Sequence, residues 1–180
     1  MRLLHKNQKG FTLIEVMITV AILAGIGVVT TAAIGQLVQS NRTSNHMVAV
    51  RQVQQAGHRV SQDCIQAQNI DPGEDGGFPL TLNWTTWEGE GGELHTVVYD
   101  LTPAGELYEL QRQETVVNTT TTVVGPPTVV AQYIYNGTAP PRPTECSWNN
   151  ATRVLTLNVT ARVGLQTASR TYEIKPRPSV

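Results

Sequence analysis

The feature that most constrains this chain is a long run without charge near its N-terminus. Residues 16–41 carry no acidic or basic side chain, and they follow a segment, residues 1–10, whose only charged side chains are basic. As an α-helix, these 26 positions would extend about 39 Å. The hydrocarbon core of a bilayer is about 30 Å thick, so a helix of this length can span it. Because a buried helix of a soluble domain is rarely so long, we predict a membrane-inserted segment.

Three kinds of membrane segment fit such a run. A secretory signal peptide has an apolar stretch of about 7–15 residues before a small-residue cleavage site, so this run is too long for one, although residues 31–33 (Thr-Ala-Ala) resemble such a site. A simple signal anchor fits the length but leaves Glu15 unexplained. A carboxylate at the bilayer centre costs about 2.5–3.5 kcal/mol, so Glu15 either lies at the membrane interface or has a partner. A third kind of signal accounts for Glu15.

The residues around Glu15 resemble a known signal. Positions 9–16 read KGFTLIEV and stand directly before the uncharged run. This segment is similar to the class III signal of type IV prepilins and type II secretion pseudopilins. In that family a membrane aspartyl peptidase, the prepilin peptidase, cuts after the glycine and methylates the new N-terminus. The resemblance implies cleavage between Gly10 and Phe11 and N-methylation of Phe11, in a mature chain that keeps its apolar run.

Cleavage after Gly10 would place an ammonium group on Phe11, at the edge of the apolar segment. Glu15 would then lie about one helical turn away, where the helix macrodipole favours a carboxylate. The carboxylate could pair with the ammonium of its own chain or, in a stack of staggered helices, with that of a neighbouring chain. Only the second pairing builds a polymer, and the resemblance assigns to this glutamate the axial register of assembly. We carry that role to Glu15 as a hypothesis.

Residues 40–69 continue the helix with a different character. Small or apolar residues recur there at intervals of three and four, which predicts one stripe that packs on a folded head. The stripe consists of Val50, Val53, Gly57, Val60, Cys64 and Ala67. The polar residues between them, Arg59 and Asp63 included, form the predicted solvent face. Three glycines between residues 25 and 35 either permit close helix packing in the membrane or mark a segment that melts on assembly.

The remainder of the chain has the pattern of an antiparallel sheet. A loop rich in proline and glycine, residues 69–77, ends the helix and lacks the spacing of a calcium-binding loop. Short segments of alternating polar and apolar residues follow, separated by turn residues. We predict strands at 80–85, 94–99, 106–112, 129–135, 153–160 and 170–175. One apolar face per strand implies a sheet covered on one side, and the helix stripe is the available cover.

These patterns predict an α+β fold that is pilin-like, with a long N-terminal helix packed on an antiparallel β head. The organisation would be a cleaved leader at 1–10, a transmembrane and assembly helix at 11–39, the amphipathic half of the same helix at 40–69, and the β head at 70–180. The order of the head strands resembles that of minor pilins and J-type minor pseudopilins.

The chain has two cysteines, Cys64 on the helix stripe and Cys146 in a proline-rich loop at residues 140–147. A head outside the cytoplasm can form disulfides. We expect either a Cys64–Cys146 bridge, which would tie the helix to the loop, or two separate buried thiols. In the chain-entropy model, a bridge across so long a loop contributes about 4 kcal/mol.

Nothing in the sequence indicates an enzyme, a cofactor or a metal site. It contains no G-x-S-x-G, H-E-x-x-H, phosphate-loop or C-x-x-C motif, and its four histidines are scattered. A formal net charge of −1 argues against a general nucleic-acid binder. Acids are concentrated in residues 71–114 and bases in residues 142–177. These charges either lie on separately solvated hairpins or form complementary surfaces that orient neighbouring subunits.

The resemblance implies a structural subunit of a type IV pilus, and the head pattern indicates a minor pilin that supports adhesion, motility or DNA uptake. Expected partners are other pilins or pseudopilins through the N-terminal helix, the prepilin peptidase, the inner-membrane assembly platform and, before assembly, the lipid bilayer. We expect a single-pass protein of the inner, cytoplasmic membrane with its head outside the cytoplasm, then an extracellular filament or a periplasmic pseudopilus. Two alternatives stay open: a minor pseudopilin of a type II secretion system, and a membrane-anchored adhesin or binding module that does not polymerise.

Overall fold

The computed structural model describes residues 10–88, 91–138 and 140–177. Apart from Gly10, the predicted leader lies outside the described residues. The chain divides into two compact units, Met1–Arg42 and Thr43–Val180. One helix, α1 (Leu13–Gln66), belongs to both units, with its first part in the N-terminal unit and its last part in the second.

The first part of α1 is apolar and exposed. Among the described residues, α1 is the one helix that is long and apolar enough to cross a membrane. Its threonines satisfy their hydroxyl groups within the helix, since Thr30 donates to the carbonyl of Ile26 at 2.8 Å and Thr31 to that of Gly27 at 2.9 Å. Hydroxyl groups in an apolar environment need such internal partners, and this part of α1 is therefore compatible with a lipid surrounding.

The last part of α1 buries one stripe in the second unit. The buried side of the helix consists of Ala49, Val53, Ala56, Gly57, Val60, Asp63 and Cys64. Four predicted stripe positions are thus confirmed, and Ala67 is also buried just beyond the helix end. Val50 is only half-buried, because the buried stripe begins one position earlier, at Ala49. The helix ends at Gln66, three residues before the predicted end.

The second unit contains nine strands in one antiparallel sheet within the described residues. They are β1 (Asn69–Gly73), β2 (Gly77–Glu88), β3 (Gly91–Ala104), β4 (Leu107–Val117), β5 (Thr122–Val124), β6 (Thr128–Ile134), β7 (Glu145–Asn149), β8 (Val154–Val163) and β9 (Gln166–Ile174). The strand order is β1-β2-β3-β4-β6-β8-β7, while β5 also pairs with β4 and β9 with β8. The predicted α+β, pilin-like fold is confirmed: a long N-terminal helix packs on an antiparallel β head.

Two segments that were predicted as loops contain short strands, so these predictions are wrong in part. The first half of the 69–77 segment forms β1, which pairs with β2 at the edge of the described sheet and buries Ile70. An edge strand tolerates Pro72 because one of its sides needs no hydrogen-bond donors. The proline-rich segment 140–147 ends in strand rather than loop, so Cys146 lies in β7 and pairs with Leu157 of β8. Both strands are only five residues long and lack clear alternation, which is why the pattern did not reveal them.

The sheet curls until its later strands meet its first turn. The backbone N–H of Cys146 in β7 donates to the carbonyl of Gly76 at 2.8 Å, and the Cys146 thiol donates to that of Gly77, also at 2.8 Å. Gly77 has a φ of +84°, and any side chain there would collide with the Cys146 backbone. The inner face of this curled sheet holds the buried stripe of α1, and helix and strands share one hydrophobic core.

Candidate functional site

The N-terminal motif begins just outside α1. Gly10, Phe11 and Thr12 precede the first helical residue, Leu13, and the Phe11 residue is 87% exposed. Gly10 is exposed as well and has open space where a Cβ would lie. The Gly10–Phe11 bond, the predicted cleavage site, is therefore accessible backbone outside a helix.

Thr12 and Glu15 cap the helix reciprocally. Glu15 Oε2 accepts hydrogen bonds from the Thr12 backbone N–H and from its hydroxyl, both at 2.9 Å. In return, the Glu15 N–H donates to the Thr12 carbonyl at 3.1 Å and, more weakly, to the Thr12 hydroxyl at 3.4 Å. This is a capping box, in which N-cap and third helical residue satisfy each other's backbone donors. The T-x-x-E spacing signals it, but the sequence interpretation of Glu15 considered the membrane interface, the helix macrodipole and charge pairing, and it did not consider a capping box.

The capping box leaves part of the Glu15 carboxylate available. Both Thr12 bonds go to Oε2, and among the described residues Oε1 has no hydrogen-bond or ion-pair partner. A carboxylate has lone pairs for several donors, so a nearby ammonium can bind without breaking the cap. The geometry therefore admits the pairing that the sequence predicts for Glu15, and it pre-orients the carboxylate at the start of the helix.

Large apolar side chains cover the first part of α1 on all sides and stay largely exposed within the described part of the chain. Fourteen of them are between 47% and 80% exposed, namely Leu13, Ile14, Val16, Met17, Ile18, Val20, Ile22, Leu23, Ile26, Val28, Val29, Ile34, Leu37 and Val38. Monomeric soluble proteins rarely expose so extensive an apolar surface. Lipid or other helices must cover it.

Asp63 was predicted on the solvent face of α1, and this prediction is wrong. The residue is only 4% exposed, and its Oδ2 accepts 2.6 Å hydrogen bonds from Tyr99 Oη and Arg112 Nε. Arg59 Nε, one turn earlier on α1, lies 4.0 Å from the same oxygen. A carboxylate can be buried when a cation and hydrogen-bond donors surround it. Those partners come from β3 and β4, far away in sequence, so no pattern within the helix could reveal them.

The ionic contact continues from Asp63 to the rim of the sheet. Arg112 Nη2 also lies 2.9 Å from Glu114 Oε2, and Glu114 Oε1 lies 3.0 Å from His95 Nδ1. The other ring nitrogen, Nε2, lies 3.0 Å from the Thr86 hydroxyl, and the imidazole stacks on Trp84 with ring centroids 5.3 Å apart. We call Asp63, Tyr99, Arg112, Glu114 and His95 the polar chain. It connects α1 to β3 and β4, so it positions the helix on the head.

The polar chain shifts the acid–base properties of its members. Burial raises the pKa of Tyr99 well above its usual value, and the hydrogen bond to Asp63 raises it further. Burial alone would lower the pKa of Arg112, but the two carboxylates beside it raise that pKa on balance. Burial likewise opposes ionisation of Glu114, yet the hydrogen bonds from His95 and Arg112 outweigh it and lower the Glu114 pKa. All three residues therefore keep their usual charge states at neutral pH.

Cys64 and Cys146 are both buried and both belong to the hydrophobic core. Burial raises the pKa of each thiol to about 12. The charge of Asp63 adds to the effect at Cys64, and the proximity of Cys64 and then of Glu145 adds to it at Cys146. The structure holds them as thiols, with Cys146 bonded to the Gly77 carbonyl. The two cysteines thus share one core, and a bridge between them stays a prediction.

Comparison with known families matches residues 5–24 to the model described as the prokaryotic N-terminal methylation motif. The chain carries an N-terminal methylation motif. The matched segment includes Gly10, Phe11 and Glu15 and runs into the exposed apolar part of α1. The match supports a pilin-like or pseudopilin-like subunit, and the family of this motif is structural rather than enzymatic. The motif and the apolar helix together fit a membrane-anchored protein. No curated protein and no solved structure matches the chain significantly.

Proposed function

We propose that this chain is a structural subunit of a type IV pilus, a minor pilin that prepilin peptidase cuts between Gly10 and Phe11. The observation that carries the proposal is the methylation motif at residues 5–24, placed on a capped helix whose apolar surface has no cover within the described residues. The peptidase would N-methylate Phe11, and the mature helix would stay in the bilayer until assembly.

The charge distribution supports an orientation in the membrane. The charged side chains of residues 1–10 are Arg2, Lys6 and Lys9, and the uncharged run follows directly. Basic flanks stay on the cytoplasmic side of a membrane helix, so the head would lie outside the cytoplasm. We therefore propose a single-pass protein of the inner membrane before assembly, in contact with the assembly platform and with other pilins.

The chemistry of assembly rests on Glu15. Processing removes the basic leader and creates an ammonium on Phe11, and Glu15 Oε1 has no partner among the described residues to compete for it. When the helix leaves the bilayer and packs among other helices, an unpaired carboxylate would be costly. Pairing with the Phe11 ammonium of a neighbouring subunit removes that cost and defines the axial offset between the helices.

The mass of the mature N-terminus tests processing. We expect the protein from cells that contain prepilin peptidase to begin at Phe11 and to be one methyl group heavier than the cut chain. Gly10→Val should leave the full-length chain, because the substitution changes the residue before the cut bond. Gly35→Val is the matched control, since this glycine also has open space around it, and it should be processed normally. A wild-type chain that still begins at Met1 in such cells would contradict the proposal.

The location of the mature chain tests assembly. Immunogold labelling along sheared surface filaments is expected for a pilin. A minor pseudopilin has the same motif and helix, and it would be found with a periplasmic pseudopilus and a secretin rather than with surface filaments. Labelling confined to the cell envelope, with no polymer, would indicate an anchored binding module and would contradict the pilus assignment.

A further inference from the structure

A cleft of about 350 Å³ opens in the head between two hairpin turns. One turn joins β3 to β4 at Gly105, and the other joins β8 to β9 at Gly164; both glycines have positive φ angles. Strand β6 lies between β4 and β8 and forms the floor. The volume lies within the range of specific binding sites. The side chains that define its chemistry are Glu106, Tyr108, Glu109, Tyr133 and Arg162.

A bulge in β6 presents Tyr133 to this cleft. Ala131 pairs with Leu110 and Ile134 with Tyr108, so two residues of β6 stand opposite the single residue between them on β4. At the bulge, Tyr133 has a φ of +59°, an unfavourable conformation for a residue with a bulky side chain. The residue nevertheless stays 43% exposed. Backbone strain of this kind is retained where the surrounding structure enforces it.

Hydrogen bonds to Gln132, the residue before Tyr133, hold the bulge in place. The Gln132 backbone N–H donates to Gln52 Oε1 of α1 at 2.7 Å. The Gln132 side-chain amide donates to Glu109 Oε1 of β4 at 3.0 Å. The helix and the neighbouring strand thus hold the bulge from two sides, and the tyrosine ring is held at the cleft.

The cleft is suited to a guanidinium group. Glu106 and Glu109 supply two carboxylates, and within the described residues neither lies in an ion pair. Arg162 also lines the cleft, but within the described residues it forms no ion pair with either carboxylate, and its guanidinium lies over the Tyr135 ring at 5.1 Å. A planar guanidinium stacks on an aromatic face and pairs with carboxylates at its edges, which a lysine ammonium does less well. Tyr133 and the two glutamates offer both kinds of contact.

The same chain presents such a guanidinium at another turn. Arg153 ends the turn between β7 and β8, which Asn149 stabilises by accepting hydrogen bonds from the N–H groups of Ala151 and Thr152. Arg153 is exposed and has a φ of +53°, in the region where turns prefer glycine or asparagine. No acidic side chain in the described part of the chain lies within ion-pair distance of it.

The turn and the cleft lie at opposite ends of strand β8. Arg153 directly precedes this strand, whereas Arg162 lies near its end and Gly164 just beyond it. The extended strand separates them by about 30 Å. Arg153 therefore cannot reach the cleft of its own chain, and any cleft of this kind that receives it must belong to another copy. A contact between two different patches of identical chains is head-to-tail, and such contacts generate open filaments unless they close into a ring.

We propose that the Arg153 turn of one copy docks in the cleft of a second copy, where the guanidinium stacks on Tyr133 and pairs with Glu106 and Glu109. The inference rests on the proposed function, in which copies of the chain share the inner membrane through their N-terminal helices before assembly.

The test uses the full chain in membranes and a photo-cross-linking residue at the rim of the cleft, Leu165→p-benzoylphenylalanine. Leu165 is 93% exposed and does not line the cleft, so the binding groups stay intact. We expect an intermolecular product whose linked peptide contains Arg153. A product on any other segment, a product only on a different protein, or no intermolecular product would overturn the proposal.

Substitutions then separate docking from folding. Glycine adopts the backbone conformation of Arg153 without strain, so Arg153→Gly should fold at least as stably as the wild type and yet lower the cross-link yield about tenfold. Arg153→Glu and Glu106→Arg should each abolish the product, and the two together should restore it. Glu74→Arg, which reverses an exposed acid outside the cleft, is the matched control and should leave the yield unchanged. Wild-type yield in Arg153→Gly would overturn the proposal.

The outcomes distinguish this contact from the function on which it rests. Cross-linking is scored in the membranes themselves, whether or not filaments form, while processing at Gly10 is scored by N-terminal mass. A processed, filament-forming wild type without the Arg153 product would overturn the contact alone. An unprocessed wild type would overturn the proposed function, and the cross-link yield of the same sample would still decide the contact.

Discussion

Asp63 is the residue on which the contact between helix and head depends most. Its buried carboxylate accepts hydrogen bonds from β3 and β4 through Tyr99 and Arg112, and no buried side-chain polar atom in the described residues lacks a hydrogen-bond partner. Removing one member of a buried ion pair leaves the other charge poorly compensated, and Glu114, the second carboxylate beside Arg112, is less buried than Asp63. A single substitution in the polar chain should therefore lower the stability of the head more than a substitution of one of its exposed charged residues.

We expect Asp63→Asn to lower the free energy of unfolding of the head by about 3–5 kcal/mol, because Arg112 would keep a buried charge with a weaker partner. Urea unfolding of the full chain in detergent micelles, followed by near-ultraviolet circular dichroism, measures the change. Gln62→Asn, on the exposed neighbour in the same helix, is the control and should change stability by less than about 0.5 kcal/mol. An equally small effect of Asp63→Asn would show that the polar chain does not stabilise the fold.

Glu114 should make the stability of the head depend on pH in the acid range. Burial raises its pKa, but the hydrogen bonds from His95 and Arg112 lower it more, so the folded-state value lies below the unfolded one. Such a group contributes stability above its unfolded pKa, about 4.3, and this contribution is lost as the pH falls through the folded pKa. We expect urea midpoints to fall less steeply below about pH 4.5 in Glu114→Gln than in the wild type. Parallel pH profiles would contradict this assignment.

At the scale of elements, Gly57 determines how closely α1 approaches β9. A Cβ at this position would overlap the ring of Tyr172, whose hydroxyl donates to the Val53 carbonyl at 3.1 Å. The ring thus occupies the space that a side chain at position 57 would fill, so this contact requires glycine. Glycine is here a packing requirement rather than a flexible joint.

Gly57→Ala should destabilise the head by about 1–3 kcal/mol, because the added methyl group overpacks the contact with Tyr172. This sign is opposite to the usual gain of about 1 kcal/mol when glycine becomes alanine inside a helix. The measurement is thermal unfolding of the full chain, and Gly35→Ala, with open space around it, is the control. Restoration of stability by a smaller residue, Tyr172→Leu, in the Gly57→Ala background would confirm the cause. Stabilisation by Gly57→Ala alone would contradict it.

Cys64 lies near the end of α1 and Cys146 lies in β7, and the oxidation state of the two thiols is measurable. In protein from an oxidising compartment, we expect a Cys64–Cys146 bridge, seen as an intact mass lower by two hydrogens than after reduction. In the reduced protein, both thiols should resist alkylation at pH 8 until unfolding, because burial raises each pKa to about 12. Ser147→Cys, exposed on the same strand and placed in a Cys64→Ala/Cys146→Ala background, should react at once. No mass difference on reduction would exclude the bridge.

At the scale of the whole molecule, the capped N-terminus and the head belong to different units of the chain. The methylation motif and the apolar part of α1 belong to one unit, and the sheet with its polar chain belongs to the other. Substitutions at the N-terminus should therefore change assembly without unfolding the head. Substitutions in the polar chain should instead destabilise the head and leave the N-terminal motif intact.

Glu15→Ala should leave cleavage after Gly10 intact but reduce incorporation into filaments at least tenfold, because no carboxylate remains to pair with a neighbouring Phe11 ammonium. The measurement combines N-terminal mass with the amount of the chain in sheared filaments. Thr12→Val is the control that weakens only the cap, and it should assemble better than Glu15→Ala. If Glu15→Ala were both processed and assembled normally, the register role of this glutamate would be wrong.

The sequence by itself determined the features that arise within a short stretch of chain. The uncharged run, the motif around Gly10 and Glu15 and most of the helix stripe follow local spacing, because helix period and membrane thickness act on consecutive residues. The main strands of the head also followed from alternation. Short strands such as β1 and β7 did not, because pairing partners far away in sequence create them.

Only the tertiary structure decided which polar residues are buried and which surfaces face one another. Asp63 has the polar character of a solvent-facing position, and its burial depends on Arg112 and Tyr99, which the sheet brings to it across 49 and 36 residues. The strained Tyr133 and the cleft around it likewise arise from register between strands. Hydrogen bonding and ion pairing between distant residues depend on the path of the whole chain, and local pattern contains no information about that path.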